Sequence, residues 1–148
     1  MTNKTGLFLI SSFATIIFAC KQEPDYKTVR DEVVSIHDSV MVNTEKAYLN
    51  KRRLDTLVNQ LDSLRETLPS LDTVVEKQNM NKLRTQLEDA DSRMSDWMHK
   101  FNADVTGKSN DEAVSYFNLE KTKIRSLDSL YVNLLKESNQ YLLRFNRK

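Results

Sequence analysis

Leu54-Asp55-Thr56-Leu57-Val58-Asn59-Gln60-Leu61-Asp62-Ser63-Leu64-Arg65-Glu66-Thr67-Leu68 is the stretch that decides the fold. Its leucines alternate spacings of three and four, the period of a helical seam buried against other helices. Pro69 follows at once, and a proline holds the residue before it out of the helical region. The helix must end there, and Ser70 or Asp72 is placed to cap the next one. Backwards from Leu54 the periodicity weakens over Asn43–Arg53, where only Ala47, Tyr48 and Leu49 are apolar. It returns at Val40, Ile36, Val33 and Val29. A first helix is therefore expected over about residues 26–67.

Forward from Pro69, Leu83, Leu87, Ala90, Met94, Trp97, Met98 and Phe101 share one face of a second helix, expected over about 71–103. Gly107 suits the left-handed conformation common after helix ends. Ser109-Asn110-Asp111-Glu112 has the form of a capping box. It opens a third helix over about 110–146, with Val114, Phe117, Ile124, Leu127, Leu130, Leu134, Tyr141, Leu142 and Phe145 on its apolar face. Pro69 and Gly107 are the sole breakers after residue 25. Short connections make successive helices antiparallel. The fold class expected is all-α: an elongated antiparallel three-helix bundle with coiled-coil character spanning 26–148. The phrase Leu-Asp-Thr/Ser-Leu at 54, 61 and 127 follows from the seam and has no fixed period, so it is not a solenoid repeat.

Upstream, Lys4 precedes an apolar run, Leu7–Ala19, and then Cys20, the chain's single cysteine. Thirteen residues are too few to span a bilayer as a helix, which needs roughly 20. The segment 1–19 reads as a signal peptide ending in a lipobox, with Cys20 as the lipidated residue and 20–25 as a polar tether. A lone cysteine has no disulfide partner, which agrees with that role. Bacterial lipoproteins as a class share the small-residue–cysteine junction. This resemblance implies a lipid anchor in the bacterial cell envelope, and Lys21 in place of an aspartate matches outer-membrane sorting in that class.

Without residues 1–19 the chain carries 21 basic and 21 acidic side chains. There is no basic excess for phosphates, so nucleic acid is not an expected partner. Lys51-Arg52-Arg53 is followed by Asp55 and Asp62 and reads as a solvated helix face. No glycine-rich phosphate loop is present, and no serine or histidine stands in a recognisable catalytic spacing. An enzyme is not expected.

Soft and titratable side chains concentrate in two stretches, Ile36-His37-Asp38-Ser39-Val40-Met41 and Met94-Ser95-Asp96-Trp97-Met98-His99-Lys100-Phe101. A turn near residue 69 or 70 matches residues whose numbers sum to about 139. This puts Met41 level with Met98 and His37 level with Asn102. His37, Met41, Met94 and Met98 could then supply imidazole and thioether ligands to copper(I), with Trp97 adding a cation–π face. The competing account is core packing, since methionines fill irregular space in helix cores. His99, rotated about 140° from the apolar stripe, is expected at the surface. With no cysteine beyond Cys20, zinc is disfavoured.

Asp31-Glu32-Val33-Val34-Ser35-Ile36-His37-Asp38-Ser39-Val40-Met41, together with Trp97-Met98-His99-Lys100-Phe101, resembles small envelope lipoproteins of Bacteroidota-type bacteria, often labelled "viral A-type inclusion protein". Val42 stands where that pattern often has a proline. The resemblance implies envelope location and helical architecture and carries no activity. The function expected is a non-enzymatic structural or interaction module, without cofactor. It would be held to the membrane by its lipid and would meet an envelope protein or a second copy of itself. The alternative is a copper(I)-binding lipoprotein using the four residues named.

Overall fold

The computed structural model describes residues 25–145. The expected signal peptide, the lipidation site Cys20 and the tether up to Pro24 lie outside the described residues, as does the last residue of the expected third helix. The described chain is all-helical, with α1 at Tyr26–Asn59, α2 at Leu61–Thr67, α3 at Thr73–Lys100 and α4 at Asn110–Leu143. No helix among the described residues is long and apolar enough to cross a membrane.

Local chemistry sets each boundary. The Asp25 side chain accepts from Lys27 N at 3.2 Å and caps α1, so the residue assigned to the tether begins the folded part. Leu68, before Pro69, has φ −130° and ψ 76° and closes α2. Asp72 then accepts from Val74 N and Val75 N at 3.0 and 3.1 Å, which starts α3 at 73 rather than 71. Phe101 turns extended and ends it at 100. Gly107 has φ +86°, a conformation that other residues adopt at a cost. Ser109 and Glu112 exchange backbone-to-side-chain hydrogen bonds as a capping box.

One expectation is corrected. The helix expected over 26–67 is two helices, broken at Gln60 without proline or glycine. Gln60 N bonds to Leu57 O at 3.1 Å, a three-residue rather than a four-residue step. Asn59 and Gln60 are both exposed, so water can take up the backbone groups that the tightened turn releases. The leucine seam survives the break, because Leu54 and Leu61 are both buried.

The region read as a weakening of the seam is continuous in three dimensions. Val33, Val40, Ala47, Leu54 and Leu61 are buried at intervals of seven, and Asn50 is buried with them. On α3 the buried positions are Glu76, Met80, Leu83, Leu87, Ala90, Met94 and Trp97. On α4 they are Ala113, Phe117, Glu120, Ile124, Leu127, Tyr131, Leu134 and Ser138, with Leu135 and Leu142 beside them. Both series alternate steps of four and three. The three stripes meet in one core, where each fully buried valine or leucine contributes about 1.5–3 kcal/mol.

Cross-helix pairs give the directions. Lys51–Glu88 (2.9 Å) and Asp55–Arg84 (3.1 Å) join α1 to α3 running the opposite way, and both pairs sum to residue number 139. Glu32–Lys121 (2.8 Å) and Asn50–Ser138 (2.9 Å) join α1 to α4 running the same way. The starts of α1 and α4 are therefore neighbours, tied by Tyr26 N donating to Asn110 Oδ1 at 3.1 Å.

Candidate functional site

At the end where α1 begins, aromatic side chains form a continuous series. The His37 ring lies 5.8 Å from Trp97, Trp97 stacks on Phe101 at 4.9 Å, and Phe101 meets Phe117 at 6.2 Å. Phe117 in turn contacts Tyr26 and Tyr116. The Tyr116 hydroxyl accepts from Asn102 N at 2.8 Å and pins the start of the α3–α4 loop. In that loop Asp104 accepts from the Thr106 hydroxyl and amide, and these bonds hold its carboxyl below the usual range.

Exposure divides the four candidate metal ligands. Met94 is a core residue at 1 %, whereas Met41 and Met98 are 39 % and 41 % exposed. His37 is half-buried, and its Nδ1 lies 3.0 Å from Asp38 Oδ1. The contact that the structure makes across helices at this point is the His37–Trp97 ring pair. Thioether ligation needs sulfurs turned to one point, whereas Met94 is buried in the core and Met41 and Met98 are partly exposed. Among the described residues no group of three or more His, Cys, Asp or Glu side chains could hold a metal ion. His99 is exposed as expected, with Nδ1 donating to Ser95 O at 2.7 Å.

Three polar groups that sequence reasoning did not single out are in the core. Glu120 is 4 % exposed. One oxygen accepts from Trp97 Nε1 at 2.9 Å and the other from Lys123 Nζ at 2.7 Å. Glu76 is buried at the far end. It accepts from Arg144 at 2.5 Å and from the Tyr141 hydroxyl, whose pKa burial and this carboxylate push well above the ordinary tyrosine value. Asn50 donates to Ser138 Oγ at 2.9 Å and Asn139 Oδ1 at 2.8 Å. The spacing held the signal: Glu120 falls between Phe117 and Ile124, and Glu76 lies four before Met80. Their charge argued the other way. These contacts bond each helix to another at a fixed height, which is positioning rather than reaction chemistry.

Midway along the helices a cavity of about 50 Å³ is lined by Thr44, Ala47, Lys51, Glu88, Asp91 and Tyr131, among others. Lys51 is bonded to Glu88, which raises the lysine pKa. Outside the core, α1 exposes Val34, Met41 and Tyr48 at intervals of seven, with Val42 and Leu49 beside them.

No protein-family model, no curated protein and no solved structure matches this chain.

Proposed function

We propose that this chain is a lipid-anchored, non-enzymatic envelope protein whose helices form an elongated antiparallel three-helix bundle of coiled-coil character. In this reading the bundle presents a helix face to another envelope protein. The architecture is supported by three buried stripes with alternating steps of three and four, and by the opposite run of α3. At about 1.5 Å per residue, the 34 residues of α1 reach roughly 50 Å. The anchor reading rests on the Leu7–Ala19 run and Cys20, and on the likeness to small Bacteroidota-type lipoproteins. Outer-membrane sorting rests on Lys21.

The observation that carries the interaction role is the exposed series on α1. Val34, Met41 and Tyr48 are 41 %, 39 % and 58 % exposed along one line of the helix, and Val42 and Leu49 widen it. Scattered apolar residues at a surface are ordinary, but a patch repeated over two heptads marks a contact surface. The bundle consumes its own stripe on the other side of α1, so this face is left for a partner.

Two measurements test the reading together. Cys20→Ser is expected to move the protein from the membrane fraction to the soluble fraction. A photo-crosslinker at Tyr48 is expected to give one discrete envelope adduct that Met41→Glu and Leu49→Glu abolish, whereas a crosslinker at Asn118 gives none. Membrane retention of Cys20→Ser would remove the anchor. Equal adducts from Tyr48 and Asn118 would remove the contact face.

A further inference from the structure

Tyr131 is fully buried at the middle of α4, and its hydroxyl has no protein hydrogen-bond partner. Its ring occupies the level of Ala47, the smallest residue on the α1 stripe, where Val40 and Leu54 flank it at one heptad's distance. The short alanine makes room for the phenol between α1 and α3. The phenol lines the cavity of about 50 Å³ described above, whose walls mix the apolar side chains of Ala47, Tyr48 and Leu87 with the polar ones of Thr44, Lys51, Glu88 and Asp91. Thr44 and Lys51 come from α1, and Glu88 and Asp91 from α3. Thr44 spends its hydroxyl hydrogen on Met41 O at 2.7 Å and keeps lone pairs free, and Lys51 is paired with Glu88.

We propose that this cavity is a hydration site at the edge of the core, in which water joins the buried Tyr131 hydroxyl to the exposed Asp91 and Glu88 carboxylates and ties the three long helices together at mid-height. A buried hydroxyl without a partner is costly, whereas a buried water typically makes about three hydrogen bonds. One water needs roughly 10–15 Å³ of such space, so a volume of about 50 Å³ has room for more than one. Besides the phenol, the polar groups of Thr44, Lys51, Glu88 and Asp91 reach this cavity, and this separates it from a wholly apolar one, which stays dry. Burial first and the Asp91 charge second push the Tyr131 pKa up to about 12, so the phenol stays protonated and donates. Water accepts that hydrogen and donates onward to the carboxylates, a direction that the fixed charges of Asp91 and Glu88 impose.

The experiment pairs magnetisation transfer from water, measured by NMR on the protein as it stands, with the thermal midpoint of Tyr131→Phe. A hydrated site gives cross-peaks between long-lived water and the Tyr131 ring. It also gives a fall in midpoint of about 3–5 °C, because the bond lost is one that was made. A dry phenol gives no water cross-peak and a midpoint that is unchanged or raised, because phenylalanine relieves an unpaired group. Either of those results overturns the proposal. The water measurement needs no variant, so a Tyr131→Phe chain that fails to fold does not shield it.

Discussion

Replacing Asn50 by alanine separates the polar layer of the core from its apolar surroundings. The amide donates one hydrogen to Ser138 Oγ and the other to Asn139 Oδ1, and it does so inside the stripe that α1 buries. Neutral hydrogen bonds contribute about 0.5–1.5 kcal/mol each, so the loss of two should cost about 2 kcal/mol. For a folded region of this size the thermal midpoint then falls by roughly 6–10 °C. The damage is limited because Ser138 keeps its own bond to Leu134 O at 2.7 Å. Asn50→Leu should behave differently. Leucine continues the series of Leu57 and Leu64, so stability equals or exceeds the parent, but nothing in a leucine distinguishes this register of α1 on α4 from a neighbouring one. Denaturant unfolding gives the energies, and the Asn50→Ala, Ser138→Ala double cycle isolates the bond. Native mass spectrometry is expected to show added oligomers with leucine alone. An Asn50→Ala protein within about 0.5 kcal/mol of the parent, with no coupling to Ser138, would refute the assignment of a structural role to this layer.

Two further outcomes are expected. Tyr131 and Tyr141 have folded pKa values above the ordinary tyrosine value of 10.0, so the protonated phenols favour the folded state. Their contribution is complete below pH 10 and is lost as pH rises towards about 12 and beyond. Phenolate absorbance from these two should appear together with loss of helical circular dichroism, and Tyr141→Phe should weaken that coupling. Copper(I) titrated against a competing chelator should leave the chain unloaded, with His37→Ala, Met98→Leu indistinguishable from the parent, because Met94 is a core residue while Met41 and Met98 are partly exposed. Tight binding that the double variant abolishes would support the metal reading instead.

The breakers and caps were legible because each acts within a few residues. Pro69 controls Leu68, Asp72 reaches only Val74 and Val75, and Ser109 pairs with Glu112. The leucine seam was legible for the same reason, and so was helicity itself. Gln60 was not, since a three-residue hydrogen bond between ordinary polar residues leaves no mark in composition. Asn50 was hidden differently. It is in phase with Val29, Ile36 and Leu57, but its amide argued for solvent, and its partners lie almost ninety residues away. Glu120 depends likewise on Trp97 and Lys123 being present to take its oxygens. In the candidate metal cluster, Met94 and Met98 are about 40° apart on the helix, too close for periodicity to tell a core position from a surface one. The position of α4 against both helices decides that.

The parallel pairing of α1 with α4 bears on when this chain can fold. Hairpin-like contacts between α1 and α3 close as soon as Pro69 has turned the chain. The contacts that fill most of the α1 stripe instead join residues such as Glu32 and Lys121, or Asn50 and Ser138, separated by 89 and 88 positions. Such high contact order delays completion of the core until α4 is in place. An amino-terminal fragment ending in the Gly107 loop would keep the apolar line of α1 half uncovered, and so stay loose and open to proteases. Of the described helices, α4 is therefore the one that locks the core shut, whatever order the others form in.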